Sequence, residues 1–504
     1  MHATTARRPE ATTAPRDGRA TTSSRAHPPV GPATGVDAGL PRRRGRSAWS
    51  TPTGIRVRAA VIVLTVVALG AILVVGIGSL RGGLRVIGQQ NAPAVAAASD
   101  LYFVLNDMDA QVANVLLVGE DQKLGFTRQQ ALDIYETRRR QAAADTQRAV
   151  TAVGSDPTGQ QAVRNIVDYL GRYEALAAEA VLLDGQTPHP AGHPPAAALD
   201  RYRQATDLLK ADLLPAAGTL TDRNAQTLQA SYTSRRDTAA ILRVLLIAFG
   251  VALLAALIAL QIHLSRKFQR SINPALVAAT LVAAVLAASS VLLFTNEIEH
   301  LRTAKKDAFD SILALTRARA VSYDANADES RYLVDPARAE QYQADFLAKS
   351  QQLAQLDGAS IASYDAALEA YQKHHTGVRL GGYFGTELRN ITFTGERAAA
   401  EETLARYQVY QRDDRRIRSL ATGGDLRAAI AFCTSYQPGD SNYAFGQYDE
   451  ALTAVTAINQ KAFDEAISAG NNDLDGWYLK LAAAAAAIAV LTFLGVRRRL
   501  AEYR

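Results

Sequence analysis

The chain has 504 residues, 48% of them hydrophobic, and a formal net charge of +6. Such averages resemble a soluble protein of two or three domains, yet the apolar residues are gathered into four long runs almost free of charge, which excludes a soluble cytoplasmic enzyme. The basic excess lies in tails and one short connection rather than on a folded face, which also sets nucleic acid aside as a partner.

Residues 1–58 hold 11 basic and 3 acidic side chains. Residues 1–54 contain 7 of the 17 prolines and few large apolar residues, too little to offset the entropy of ordering, so 1–58 reads as a disordered basic cytoplasmic tail. Its Arg42, Arg43, Arg44 and Arg46 suit anionic lipid head groups. Its Ser/Thr content makes it either a kinase substrate or a merely solvating leader. Ala59–Leu80 then gives 22 residues without a charge, enough helix to cross a bilayer core. Ala94-Val-Ala96 resembles a signal-cleavage site, but it lies well past the apolar run, and the leader is long; a retained anchor, transmembrane helix 1 (59–80), is the better reading.

Residues 81–240 read as a first helical bundle. Leu101, Leu105, Met108, Val112 and Val115 mark one helical stripe, and Val163, Ile166, Leu170, Tyr173 and Ala177 another. The prolines of Gly185–Pro195 break the helix there, and a polar stretch then leads into the second span. Val244–Ile262 supplies transmembrane helix 2 (241–263), followed by a basic loop (264–274), and Ala275–Thr295 supplies transmembrane helix 3 (275–295). Residues 296–476 form a second bundle, in which Ile298, Leu301, Ala308, Ile312 and Leu315 continue the helical period out of the span. Trp477–Val496 is transmembrane helix 4 (477–496), with Lys480 near its end, and 497–504 is a tail. The fold class is all-α: an integral membrane protein with four transmembrane helices and two extracytoplasmic helical-bundle domains in a duplicated layout.

Charge sets the expected orientation. Residues 81–240 carry 16 basic and 18 acidic side chains and residues 296–480 carry 20 and 27, whereas the 264–274 loop has Arg266, Lys267 and Arg270 against no acid. Basic flanks stay inside, so the expectation is a multi-pass plasma-membrane protein with both termini cytoplasmic and both large segments outside. Cys433 is alone, so no intrachain disulfide forms.

The layout of span, large segment and span occurs twice. Asp107-Met-Asp-Ala110 with Leu116 parallels Asp324-Ala-Asn-Ala327 with Leu333, and Ile166-Val-Asp-Tyr169 parallels Ile361-Ala-Ser-Tyr364. The extra length of the second half falls around Gly377–Gly395, where Gly381, Gly382 and Gly385 interrupt the helix.

Catalytic chemistry is missing from the pattern. There is no phosphate-binding glycine loop, His-Glu-x-x-His, paired Cys motif, nucleophile elbow or kinase signature, so no enzyme, cofactor or metal site is expected. His374-His375 reads as surface decoration rather than a metal site. Asp107, Asp109, Asp324 and Asp328 read as a solvated helix face or polar contacts between helices, with cation binding the alternative. The spans contain no acid, and Arg243, His263 and Lys480 lie only at their ends, which argues against a self-sufficient transporter. Gly70, Gly76, Ser289 and Ser290 suit close helix packing.

With little folded material inside, any signal must leave through another protein. Arg266, Lys267, Phe268, Arg270, Arg497, Arg498 and Arg499 are the candidate cytoplasmic docking residues, unless they only set topology. The stretch Arg319–Leu333 and the basic loop Ser265–Asn273 resemble the four-span actinobacterial membrane proteins of the GlnX type. That resemblance implies two partners: an extracytoplasmic solute-binding protein for acidic amino acids and a cytoplasmic Ser/Thr protein kinase of the G type. It carries over no catalytic residue. A looser likeness to chemoreceptor sensor bundles lacks their cytoplasmic coil. Tyr383, Tyr407, Tyr410, Tyr436, Tyr443 and Tyr448 are the candidate extracytoplasmic interface, although most tyrosines of the second bundle are expected in its core. Membrane lipids and a second copy of the chain are further expected contacts. The alternatives are a receptor that binds a small molecule directly, through Arg415, Arg416 or Arg418, and an accessory subunit of a transport or envelope complex.

Overall fold

The computed structural model describes residues 51–121, 123–154, 156–268, 273–374 and 379–500, without the side chains of 51, 52, 267, 268, 374 and 498–500. The tail up to residue 50, Arg270 and His375 lie outside the described residues. Among those described, every regular element is a helix.

The first rod is α1 (Thr51–Arg85), a π-helical segment (Val86–Asn91) and α2 (Ala92–Val118). α3 (Arg128–Ala152) and α4 (Pro157–Gln186) follow. Thr127 opens α3 with a capping box to Gln130, and Asp156 caps α4 through the amide of Gly159 at 3.0 Å. The proline-rich break falls at the expected place, before α5 (Ala196–Leu208). α5 runs through a second π segment (Leu209–Leu213) into α6 (Leu214–Phe268), the second rod. α7 (Pro274–Arg302), a third π segment (Thr303–Phe309) and α8 (Asp310–Val334) make the third. The second half continues with α9 (Ala339–Leu353), α10 (Tyr364–His374), α11 (Gly382–Asn390), α12 (Glu396–Thr422) and α13 (Leu426–Thr434). α14 (Ser441–Asp473) and α15 (Trp477–Leu500) form the last rod.

Four helices are long and apolar enough to cross a membrane, within Thr53–Val118, Ala196–Arg266, Pro274–Val334 and Ser441–Arg497. Their apolar parts pack in a ring of α1, α6, α7 and α15, with the leucine and isoleucine stripe of each turned inward. Gly76 lets α7 approach: a Cβ there would sit 2.4 Å from the Phe294 ring. Ser290 is also buried, whereas Ser289 is only half-buried and Gly70 has nothing within 4 Å. The small-residue face is therefore half of what its composition promised.

Several boundaries differ from the sequence expectation. Residues 51–58, assigned to the tail, continue α1, with the Arg58 guanidinium donating to the Gly54 carbonyl at 3.1 Å. Residues 264–268 likewise extend α6, and 497–500 extend α15. Once a span is formed, each added residue gains a hydrogen bond for little further ordering, so helices overrun their apolar runs.

α2 departs from the amphipathic helix its stripe predicts. The stripe Leu101, Leu105, Met108, Val112 and Val115 is buried, but so are 23 of the 27 residues of α2, because α3, α4, α5, α6 and α8 surround it. The π segments Val86–Asn91 and Thr303–Phe309 each interrupt a rod a few residues past its apolar run. This shared position supports the duplication. The Ile166/Ile361 pairing fares worse: Ile166 is inside α4, while Ile361 lies in a turn before α10.

Candidate functional site: a buried charge junction between the two halves

α2 from the first large segment and α8 from the second pack directly on each other. The duplicated Asp-containing stretches lie on these two helices. An aspartate cannot be buried in an apolar bundle without a partner: Asp107 finds Arg138 at 2.5 Å, and Asp109, Asp324 and Asp328 all find Arg331. This side chain is fully buried. Its Nε donates to Asp109 Oδ2 at 2.9 Å, and its Nη1 to Asp324 Oδ1 at 3.0 Å and Asp328 Oδ1 at 2.6 Å.

The helical period explains the cluster. Asp324, Asp328 and Arg331 are spaced by four and three residues, one face of α8. Asp109 reaches that face from α2 and is held by other elements of the first half. Tyr202 donates to its Oδ2 at 3.1 Å, Thr206 to Oδ1 at 2.9 Å and Tyr173 to Oδ1 at 3.3 Å. On the other side, Lys349 of α9 donates to Asp328 Oδ2 at 2.5 Å and lies 2.7 Å from Asp324 Oδ1. Burial alone would raise the Asp324 carboxyl, but Lys349 and Arg331 outweigh it and lower it to about 2. Burial likewise pushes the Tyr173 and Tyr202 hydroxyls up, with the Asp109 charge adding to it, so both remain donors.

Further pairs cross the same seam. Arg203 forms a two-pronged pair with buried Asp335, at 2.8 and 2.5 Å, and Lys210 pairs with Asp345. Arg338 pairs with Asp207 at 2.7 Å, and Arg427 with Asp121 at 2.8 Å. Ser330 donates to Asn114 Oδ1 at 2.8 Å. Closer to the spans, Arg319 grips Asp449 at 2.6 and 2.8 Å while lying over the Phe103 ring. Phe103 packs edge-on against Tyr323. Such an arrangement holds the two halves together; among the described residues no cluster suited to a metal ion occurs, and the aspartates already have cationic partners.

The sequence-derived tyrosines divide. Tyr407, Tyr410 and Tyr448 are fully buried, packed mostly edge-on or tilted among one another and Phe384 and Phe445, so they are core side chains and present no surface to a partner. Their ring area is better satisfied between α12 and α14 than in water. Tyr383 is half-buried, while Tyr436 and Tyr443 are 46% and 38% exposed. These last two lie by the start of α14, about 50 Å of helix from α15.

The arginines named for direct carboxylate binding are engaged. Arg415 pairs with Asp365 at 2.7 Å, Arg416 lies over the Phe432 ring, and Arg418 holds Asp414 at 2.9 and 2.7 Å. At the opposite end of the molecule, Arg266 and Arg497 are exposed. Arg58, which composition placed in the tail, joins Arg266 in lining a cavity of about 370 Å³. Asn273 donates to the Gly495 carbonyl at 2.8 Å and ties the start of α7 to α15 at this end. Lys267, Phe268, Arg498 and Arg499 are helical, their side chains lying outside the described set, as does the whole of Arg270.

Residues 83–233 match the sequence family described as an actinobacterial sensor domain. No curated protein and no solved structure matches the chain. The matched range contains Asp109, Tyr173, Tyr202 and Thr206, whereas Arg331 lies outside it. The match supports a sensor-type actinobacterial protein.

Proposed function

We propose that the chain is a non-enzymatic transmembrane signal transducer. A solute-binding protein docks outside the cell at the tip that carries Tyr436 and Tyr443. A cytoplasmic Ser/Thr protein kinase reads the opposite, basic end around Arg58, Arg266 and Arg497. The sensor-domain match over residues 83–233 supports the sensing part; the two partners, and an acidic amino acid as the solute, rest on the GlnX-type resemblance.

One observation carries the mechanism. α2 and α8, each the continuation of an apolar span, are locked to each other by Arg331 and Asp109. A displacement at the tip then moves two rods together, and the 66 residues of Thr53–Val118 extend about 100 Å. Packed helices transmit such shifts as sliding or rotation rather than absorbing them.

Photo-crosslinking in intact cells tests the reading. A crosslinker at position 443 is expected to capture a solute-binding protein, and one at position 266 a Ser/Thr kinase. Capture of no specific protein from either position would remove the transducer reading.

A further inference from the structure

The second large segment contains a cavity of about 580 Å³ between α10, α11 and the start of α12. Its charge is unlike its surroundings. Residues 296–480 hold 20 basic and 27 acidic side chains, yet Arg379, Arg389 and Arg397 face this cavity against the single acid Glu401.

None of the three arginines is neutralised by a close pair. Arg379 has no ion pair among the described residues. Arg397 meets Glu401 at 3.7 Å, with both side chains exposed. Arg389 is held by neutral acceptors, donating to the Leu380 carbonyl at 3.1 Å and the Thr386 hydroxyl at 3.3 Å. Gly385 makes that arrangement fit: a Cβ there would lie 2.2 Å from the Leu380 oxygen and 3.2 Å from Arg389 Nη1. The remaining wall is apolar, from Leu380, Leu388 and Leu404 with the Tyr371 ring.

We propose that this cavity binds a small organic anion, a carboxylate carried on an apolar body. Guanidinium groups recognise carboxylate oxygens by paired, charge-assisted hydrogen bonds, and a concave apolar wall favours a compact ligand over an extended surface. The site lies outside the 83–233 sensor match. Binding there does not depend on either partner of the transducer reading.

The test is isothermal titration calorimetry on the full chain in lipid nanodiscs, with empty nanodiscs as the blank. Hydrocinnamate is the probe, hydrocinnamyl alcohol the uncharged control and inorganic phosphate the control without an apolar body. Hydrocinnamate is expected to bind saturably and more tightly than either control. Arg379→Gln and Arg397→Gln, both at exposed positions, are each expected to weaken it by about tenfold, the loss of one charge-assisted contact. Equal binding of the alcohol, phosphate binding as tight as hydrocinnamate, unchanged binding in both variants, or no saturable binding at millimolar concentration would each overturn the proposal.

Discussion

Arg331 is fully buried and contacts three aspartates from two helices, so its worth is measured by what its removal strands. Arg331→Met leaves Asp324 and Asp328 with Lys349 as their principal remaining cation, and Asp109 with the hydroxyls of Tyr173, Tyr202 and Thr206 in place of a cation. Breaking one side of a buried pair costs about 3–5 kcal/mol, and thermal unfolding of the variant is expected to show a loss of that order. Arg338→Met, at a partly solvent-exposed pair with Asp207, is expected to cost about 0–1 kcal/mol. A second residue carries a pH signature. Glu387 is buried with both carboxyl oxygens lacking a hydrogen-bond partner, and burial, with Glu396 nearby, raises it from 4.5 to about 7. Below the ordinary value the group is neutral in folded and unfolded chains alike. As pH climbs toward about 7 the unfolded chain gains by ionising it while the folded chain does not, so stability falls across that window. Melting curves of Glu387→Gln across the same range are expected to be flatter than those of the parent, and an identical slope would contradict the assignment. At this scale the sequence was least legible. The aspartates stood out as charged positions on helical stretches, and contacts between bundle helices were one reading of them. Their partner Arg331 does not stand out, because a single arginine in an arginine-rich chain has little local signature. The available signal was its spacing of seven and three residues from Asp324 and Asp328, which places all three on one helix face.

At the level of elements, apolar periodicity located α2, α4 and the four spans, and prolines located the break before α5. It misjudged the environment of α2, because a stripe shows which face is apolar and not whether other helices cover the rest. The π segments leave no mark on apolar periodicity and are visible only in the backbone of the rods they interrupt. The tyrosines illustrate the same limit, since Tyr407 and Tyr443 are alike in composition and opposite in burial. Packing of the spans gives a paired prediction. Gly76→Leu would force the Phe294 ring out of its place and is expected to lower stability by about 1–3 kcal/mol, the usual cost of overpacking. Gly70→Leu, with nothing within 4 Å, is expected to leave the melting temperature unchanged. Equal effects from the two would show that α1 and α7 do not meet at Gly76.

For the whole molecule, the all-α class and the number of apolar rods followed from residue patterns alone, because a bilayer imposes a fixed length on any helix that crosses it. The joining of the two large segments did not, since it depends on side chains more than two hundred positions apart, Asp109 and Arg331. Without that seam the two halves would be independent bundles; with it, four rods answer to one body. The central claim is that this body lies outside the cell while the basic ends lie inside. Labelling with a membrane-impermeant maleimide tests it directly, on a Cys433→Ala background that removes the buried native thiol. Tyr443→Cys is expected to label in intact cells, and Arg266→Cys and Arg497→Cys only after permeabilisation. Labelling of position 266 or 497 in intact cells, with position 443 protected, would contradict the account.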